Sequence, residues 1–210
     1  MSGQFISFEG GEGSGKSTQL KLLASAFEKA GLPFVSTREP GGSSGAEKIR
    51  SLLVSGETDA WDSLTETLLF NAARADHINR LITPALIEGK TVICDRFIDS
   101  TLVYQGIGKG LGKSYIKDLH QMIFGNFMPN LTIMLDISPE EGLRRAGMRN
   151  HDENRFEQLD IEFHRKIRAG FIEIATQEVE RCVVLDATQE ASVLHAQIVE
   201  TIRLRCEIAL

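Results

Sequence analysis

Short apolar runs alternate with longer stretches of helical periodicity along this chain of 210 residues. The runs show little polar alternation, which is typical of strands that are covered on both faces. They are Phe5–Glu9, Phe34–Arg38, Thr91–Asp95, Leu131–Asp136 and Cys182–Asp186. Because strands that alternate with helices form parallel sheets, the pattern predicts an α/β fold with a five-stranded parallel sheet flanked by helices.

Helical periodicity is clearest in three of the segments between these runs. A helix is predicted over residues 17–30, where Gly31 would end it. The longest helical patterns cover residues 64–89 and 155–180, and the second repeats apolar side chains every three or four residues. No internal repeat, low-complexity tract or linker divides the chain, so we predict one domain over residues 1–210.

The most specific motif follows the first predicted strand. Gly10, Gly15, Lys16 and Ser17 occupy the fixed positions of the phosphate-binding loop of P-loop NTPases. Such a loop aims backbone N–H groups at a helix N-terminus, where anions bind. Lys16 would reach the outer phosphates of a nucleoside triphosphate, and the Ser17 hydroxyl would bind the accompanying Mg²⁺. The residues expected to hold the nucleotide are Gly10, Gly11, Glu12, Gly13, Ser14, Gly15, Lys16, Ser17 and Thr18.

Two charged residues, Asp95 and Arg96, end the third predicted strand. Asp95 could hold the water shell of the magnesium ion, and Arg96 offers a planar fork for a second phosphate. The sequence has no Asn-Lys-x-Asp segment for reading guanine, and no Asp-Glu pair ends this strand as in motor ATPases. The pair therefore favours a phosphorylated acceptor over water, with a surface ion pair as the alternative.

Further candidates lie near the expected ligand edge of the sheet. Phe70 and Arg74 share a helical face, as either a platform that stacks on and reads a base or a core ring beside a solvated arginine. Arg38 ends the second predicted strand at that edge. The stretch after Arg96 adds hydroxyl, phenol and amide groups at Ser100, Tyr104 and Gln105.

Arginines are densest between residues 143 and 155, where they mix with Gly, Asn and Asp. This segment is either a solvated polar loop or a mobile flap that brings positive charge to transferring phosphates. In the second case it forms an arginine-bearing lid at about residues 144–155.

The composition and net charge of the chain indicate which kinds of partner it can bind. The chain is 42% hydrophobic and 25% charged, as in ordinary soluble proteins. Its net charge of −6 argues against nucleic acid as a partner. We find neither an apolar run long enough to span a membrane nor a signal segment, so we expect no membrane partner and a cytoplasmic location. Cys94, Cys182 and Cys206 show no metal-ligand spacing, and the first two lie in apolar runs that suit buried free thiols.

Five segments, in this order, resemble the bacterial thymidylate kinases, which phosphorylate dTMP to dTDP with ATP and Mg²⁺. They are FEGGEGSGKST at 8–18, TREPGG at 37–42, FNAAR at 70–74, DRF at 95–97 and YQG at 104–106. The resemblance runs from about Gln4 to the end of the chain. Homodimers are usual in that family, so it also implies a homodimer.

The resemblance implies roles in binding the thymidine part of dTMP. Phe70 would stack on thymine, and Arg74 would read the edge of the base. Tyr104 would fill the space that a ribose 2′-hydroxyl needs. Ser100 and Gln105 would lie near the base and sugar.

The resemblance also implies roles around the phosphates. Glu12 would meet the sugar 3′-hydroxyl, and Arg96 would clamp the dTMP phosphate with Arg38 nearby. In this family a phosphate loop that lacks an additional arginine accompanies arginines in the lid, here Arg144, Arg145, Arg149 and Arg155. Asn154 departs from the Asp that often precedes the last of these. The implied catalytic residues are Lys16, Arg96, Arg149 and Arg155, and the implied metal ligands are Ser17 and Asp95.

Two alternatives stay open at this point. The chain could phosphorylate another nucleoside monophosphate or a deoxynucleoside, which acceptor profiling would distinguish. It could also be a nucleotide-binding module without turnover, although Lys16, Ser17 and the Asp95–Arg96 pair argue against that.

Overall fold

The computed structural model describes residues 3–148 and 155–210. It confirms the predicted parallel five-stranded sheet, in the order β2-β3-β1-β4-β5. The strands have the predicted bounds: β1 is Phe5–Glu9, β2 is Phe34–Arg38, β3 is Thr91–Asp95, β4 is Leu131–Asp136 and β5 is Cys182–Asp186. Because β1 is the central strand, its carboxyl end carries the phosphate loop to the middle of the ligand edge.

Helices connect the strands. They are α1 (Lys16–Ala30), α2 (Ser44–Leu53), α3 (Ser63–His77), α4 (Thr83–Ile87), α5 (Ile98–Thr101), α6 (Lys113–Phe124), α7 (Pro139–Ala146), α8 (Ile161–Gln177) and α9 (Ala191–Cys206). The first helix begins one residue earlier than predicted and ends at Gly31, whose φ of 65° suits a glycine C-cap. No described helix has both the length and the apolar character needed to cross a bilayer.

Two of the predicted helical stretches are interrupted. Residues 64–89 fold as α3 and α4 joined by a π-helical turn at Ile78–Ile82. The stretch from 155 to 180 becomes helical only at Ile161, because Asp160 caps α8 by accepting a hydrogen bond from the Phe163 N–H at 2.7 Å. A second π-helical turn, Leu102–Gly108, follows α5 and carries Tyr104 and Gln105. Such turns are frequent at functional sites.

The core has two parts, one on each face of the sheet. Successive residues of a strand point to opposite faces, so Phe5 packs in one part and Ile6 in the other. One part joins the sheet to α6, α8 and both π-helical turns, and the other joins it to α1 and α9. Burial on both faces explains why the central strands β1, β3 and β4 are nearly continuous apolar runs.

Candidate active site

The phosphate loop packs tightly against neighbouring backbone. Gly10 has a φ of 137°, and a Cβ there would overlap the carbonyl oxygen of Leu135 on β4. Gly13 has a φ of 66°, and a Cβ there would overlap the carbonyl oxygen of Gly142 on α7. Both positions therefore require glycine, because other residues are strained at these angles and lack the space.

Lys16 begins α1 and folds back over the loop. Its ammonium donates hydrogen bonds to the Gly10 and Gly11 carbonyl oxygens, both at 3.0 Å, and to Ser14 Oγ at 3.2 Å. Burial and the nearby Arg96 guanidinium lower the Lys16 pKa to about 8. A phosphate anion bound here would favour the charged amine, since an opposite charge stabilises it.

The two predicted metal ligands lie next to each other. Ser17 Oγ donates a hydrogen bond to Asp95 Oδ2 at 3.1 Å. The other carboxylate oxygen, Asp95 Oδ1, is buried and has no hydrogen-bond partner among residues 3–148 and 155–210. Hard oxygen donors of this kind suit Mg²⁺, which binds through one or two protein groups together with water and substrate phosphates. The residues present therefore fit a magnesium ion at the loop.

Arg96 follows β3 in a strained backbone conformation, with a φ of 68°. Its Nη1 donates to the Gly10 carbonyl oxygen at 3.2 Å, and its Nη2 donates to Glu12 Oε1 at 2.8 Å. Tyr104 donates its hydroxyl to the same Glu12 oxygen, also at 2.8 Å. Burial alone would raise the Glu12 pKa, but Arg96 and Lys16 outweigh it and lower the pKa to about 2. Glu12 is thus an ionised acceptor between the loop and Arg96.

Glu9 supports the turn that presents Arg96. Its Oε1 accepts from the backbone N–H groups of Phe97 at 2.8 Å and Ser100 at 3.2 Å, and its Oε2 accepts from Ser100 Oγ at 2.6 Å. Ser100 Oγ lies 3.0 Å from Arg96 Nη1. Burial and the nearby Asp99 raise the Glu9 pKa to about 7. These contacts tie the strained Arg96 backbone to the end of β1.

The Arg74 side chain on α3 is almost fully buried and is held from two directions. Its Nε donates to Glu39 Oε2 at 2.7 Å, and its Nη2 donates to Thr101 Oγ1 at 3.0 Å. His77 lies 3.0 Å from the second Glu39 oxygen. Arg74 Nη1 is buried and has no hydrogen-bond partner in the described part of the chain, so one donor group of the guanidinium is left for a ligand.

A main cleft at the ligand edge brings the predicted substrate residues together. Its lining includes all of them: Glu12, Arg38, Phe70, Arg74, Arg96, Ser100, Tyr104 and Gln105. Lys16, Ser17 and Asp95 line the same cleft. The Phe70 ring is partly exposed and lies 6.3 Å, between centroids, from Phe156. Arg38 is half exposed and pairs with Glu47 at 3.1 Å.

A side pocket lies on the other side of the phosphate loop. It is lined by Gly13, Ser14, Gly15, Thr18, Gln19, Arg145, Ala187, Thr188, Gln189, Glu190, Ala191 and Leu194. Arg145 donates to the Ala187 carbonyl oxygen at 2.9 Å and to Glu141 at 2.7 Å. The loop after β5 therefore forms one wall of this pocket, and Arg145 is bonded to it.

The predicted lid arginines have different surroundings. Arg144 is exposed and forms two hydrogen bonds with Glu141, both at 2.7 Å. Arg149 lies outside the described residues. Arg155 is 1% exposed, pairs with Glu66 at 2.6 Å and donates to the backbone carbonyl oxygens of residues 53, 57 and 58. The structure therefore does not place Arg155 in the lining of the main cleft. Its donors are occupied by Glu66 on α3 and by carbonyl oxygens at the end of α2 and in the loop that follows.

Known proteins resemble this chain over nearly its whole length. A family model for thymidylate kinase matches residues 8–198. A thymidylate kinase of Caulobacter vibrioides is 50% identical over 200 residues, which cover 95% of this chain and 96% of that relative. The chain belongs to the thymidylate kinase family. A thymidylate kinase of Ruegeria pomeroyi is 46% identical, with 95% of this chain and 94% of that relative covered.

The structural comparison leads to the same family. The crystal structure of thymidylate kinase from Ehrlichia chaffeensis has a TM-score of 0.80 and 35% identity, and covers 96% of this chain and 100% of that chain. As a thymidylate kinase, the chain is a phosphotransferase that phosphorylates dTMP with ATP as donor and Mg²⁺ as the accompanying ion. The fold and the reaction expected from the resemblance are both confirmed.

Several contacts in this thymidylate kinase site were not predicted from the sequence. Glu39 and Thr101 hold Arg74, and Glu66 contacts Gln105. The sequence does contain a signal for Glu66, because this residue lies four positions before Phe70 and eight before Arg74. This spacing places a carboxylate on the helical face of both predicted base contacts.

Proposed function

We propose that the main cleft binds dTMP and that the phosphate loop presents the γ-phosphoryl group of ATP to the dTMP phosphate for in-line transfer. The observation that carries this proposal is the pair of cations at Gly10. Lys16, from the phosphate loop, and Arg96, from the wall of the main cleft, both donate to the Gly10 carbonyl oxygen. A donor phosphate on Lys16 and an acceptor phosphate on Arg96 would therefore be neighbours.

The acceptor needs no general base. The second pKa of a phosphate monoester is about 6, so dTMP already has a nucleophilic oxygen at neutral pH. Catalysis then depends on positioning and on stabilising charge as the phosphoryl group moves. Lys16 supplies positive charge at the moving group, and Arg96 holds the acceptor oxygens through its planar fork.

Ser17 and Asp95 would hold the magnesium ion, Asp95 through its water shell. The ion, when bound, neutralises charge on the donor phosphates. Asp95 Oδ1, which no described residue contacts through a hydrogen bond, supports this assignment. The side pocket suits the nucleoside of ATP, since it lies beside loop residues Gly13, Ser14 and Gly15.

The thymidine part of dTMP would lie between the remaining cleft residues. Arg74 Nη1, which has no partner among the described residues, would donate to the base, and Phe70 would stack on it. Tyr104 would fill the space beside the sugar, because its hydroxyl is fixed by Glu12. Glu12, Ser100 and Gln105 would complete the polar contacts.

We infer one kinase domain over residues 1–210, with an arginine-bearing lid at about 144–155. Arg145 supports the lid, since it lines the side pocket from the end of α7. Arg149 is the proposed lid arginine at the phosphates. A catalytic role of Arg155 stays a prediction, and it would require Arg155 to leave its partners beneath α2 and α3.

A homodimer is also proposed, through a face formed by α3 and α6. Leu64 and Leu68 on α3 are 42% and 48% exposed, and Met122 and Ile123 on α6 are 82% and 45% exposed. The two helices are in contact, and exposed apolar side chains on such a pair mark protein interfaces. The molar mass from light scattering should be that of a monomer for Leu68→Asp and that of a dimer for Leu204→Asp on α9. A monomeric wild type would contradict the proposal.

We further infer a cytoplasmic location. The three cysteines are unpaired and buried, which suits a reducing compartment. Cell fractionation with an antibody to the chain would test the location, and recovery in a secreted or membrane fraction would contradict it.

Arg96→Lys tests the assignment of the acceptor phosphate. Lysine keeps the charge but loses the fork, so kcat/KM for dTMP should fall about 10- to 100-fold while the Kd for ATP stays within about twofold. Arg80→Ala, an exposed arginine beyond α3, is the control and should change neither value. A loss of ATP affinity with normal use of dTMP would contradict the assignment.

A further inference from the structure

Glu66 is a fully buried carboxylate next to the main cleft. Its Oε1 accepts a hydrogen bond from Gln105 Nε2 at 2.8 Å. Its Oε2 faces two cations, Lys109 Nζ at 2.7 Å and Arg155 Nη1 at 2.6 Å. The carboxylate therefore connects α3 to Gln105 in the second π-helical turn, to Lys109 just after that turn, and to Arg155.

This arrangement fixes which end of the Gln105 amide faces Glu66. A carboxylate can only accept hydrogen bonds, so the nitrogen of the amide must face it. The amide oxygen then faces away from Glu66, and Gln105 lines the main cleft. A pyrimidine ring there meets an acceptor, which suits thymine, with its N3–H donor, and not cytosine, whose N3 is an acceptor.

We propose that Glu66 is a positioning residue that sets base selectivity by holding Gln105 with its amide oxygen available to the base. The proposal rests on the use of dTMP as the acceptor. Lys109 and Arg155 contribute by fixing Oε2, which leaves Oε1 for Gln105. Neither cation needs to touch the substrate for this role.

Glu66→Gln should turn the Gln105 amide around. Lys109 and Arg155 only donate hydrogen bonds, so the carbonyl oxygen of the new glutamine must face them. Its NH₂ group then faces Gln105, whose oxygen turns to accept from it. The nitrogen of Gln105 would now face away from residue 66 and offer a donor to the base.

The readout is the ratio of kcat/KM for dTMP to kcat/KM for dCMP, with dUMP as a further acceptor. Uracil keeps N3–H, so the dTMP:dUMP ratio should not change. We expect the dTMP:dCMP ratio of Glu66→Gln to fall at least about tenfold, mainly through a higher KM for dTMP, because a mismatched buried polar pair is strongly disfavoured.

Four further variants accompany this measurement. Glu66→Gln leaves two cations beside a neutral amide, which could prevent folding. Glu66→Gln/Lys109→Met removes one of these cations and allows the same measurement if the single variant does not fold. Lys109→Met alone retains the carboxylate and should keep the wild-type dTMP:dCMP ratio. In a Gln105→Ala background, Glu66→Gln should lower this ratio no further.

A folded Glu66→Gln or Glu66→Gln/Lys109→Met variant with the wild-type dTMP:dCMP ratio would overturn the proposal. An equally large effect of Glu66→Gln in the Gln105→Ala background would overturn it too, since Glu66 would then not act through Gln105. Failure of the wild type to use dTMP would instead contradict the assigned reaction.

Discussion

Lys16 Nζ and Arg96 Nη1 donate hydrogen bonds to the same atom, the Gly10 carbonyl oxygen, at 3.0 and 3.2 Å. One cation begins α1 and the other follows β3, so separate elements bring like charges together. Burial lowers the Lys16 pKa to about 8, and the Arg96 charge contributes to the shift. Phosphate anions would relieve this repulsion, which links the electrostatics of the free protein to its phosphoryl-transfer reaction.

Lys16→Ala should remove most of the turnover with little effect on the fold. Loss of a preorganised positive charge at the transferring group should lower kcat by about 10²- to 10³-fold. Coupled release of ADP measures the rate, and thermal unfolding checks the fold. Near-normal kcat in a correctly folded variant would remove Lys16 from the mechanism.

Arg74→Ala should weaken the binding of dTMP selectively. The variant loses the unpartnered Nη1 donor and leaves the Glu39 carboxylate without its closest cation. We expect KM for dTMP to rise about 10- to 100-fold, since hydrogen bonds from charged groups contribute about 1.5–3 kcal/mol. Initial rates at varied dTMP and ATP separate the two KM values, with Arg80→Ala as the matched control. A change confined to KM for ATP would contradict the base assignment.

Tyr104→Ala should relax discrimination against a ribonucleotide acceptor. The aromatic ring fills space beside the proposed sugar position, whereas its hydroxyl mainly bonds to Glu12. The ratio of kcat/KM for dTMP to that for ribothymidine monophosphate should therefore fall about tenfold or more. Tyr104→Phe retains the ring and should keep most of the discrimination. Equal ratios in the wild type and Tyr104→Ala would place the 2′ filter elsewhere.

Glu9 should make stability depend on pH. Its pKa is about 7 in the folded protein, against an ordinary value of 4.5, because of burial and Asp99. Between these values the folded state binds a proton that the unfolded chain has lost, so the stability due to Glu9 falls as pH rises.

Comparison with Glu9→Gln isolates this effect. From pH 4.5 to 7, the unfolding free energy of the wild type relative to the variant should fall on the order of 1–3 kcal/mol. Urea denaturation across this range measures the difference. A difference that stays constant or grows with pH would contradict the raised pKa.

Local patterns were sufficient to predict the sheet and the phosphate loop. The three central strands, β1, β3 and β4, are buried on both faces, so their sequences are nearly continuous apolar runs, whereas the edge strands β2 and β5 are partly exposed. The loop motif is contiguous, and its glycines are required by local φ angles and close backbone contacts. The resemblance to the thymidylate kinases then supplied the base and sugar residues, which the structure brings into one cleft.

Contacts between distant parts of the chain were not predictable in the same way. Glu39 pairs with Arg74, which lies 35 positions further along the chain. Arg155 pairs with Glu66 and also donates to carbonyl oxygens in the loop after α2. Nothing in the local sequence around Arg155 separates an exposed lid arginine from one enclosed by backbone carbonyl groups. The π-helical turn at Leu102–Gly108 likewise continues directly from α5, and only the packed structure shows where the hydrogen-bond pattern changes.

ADP release by the wild type with ATP, Mg²⁺ and each nucleoside monophosphate in turn tests the dTMP kinase reaction most directly. We expect strong preference for dTMP, with dCMP and the purine nucleotides used far less well. Equal use of several monophosphates, or preference for one other than dTMP, would contradict the assignment of the main cleft. Absence of turnover with every acceptor would contradict the phosphoryl-transfer mechanism itself.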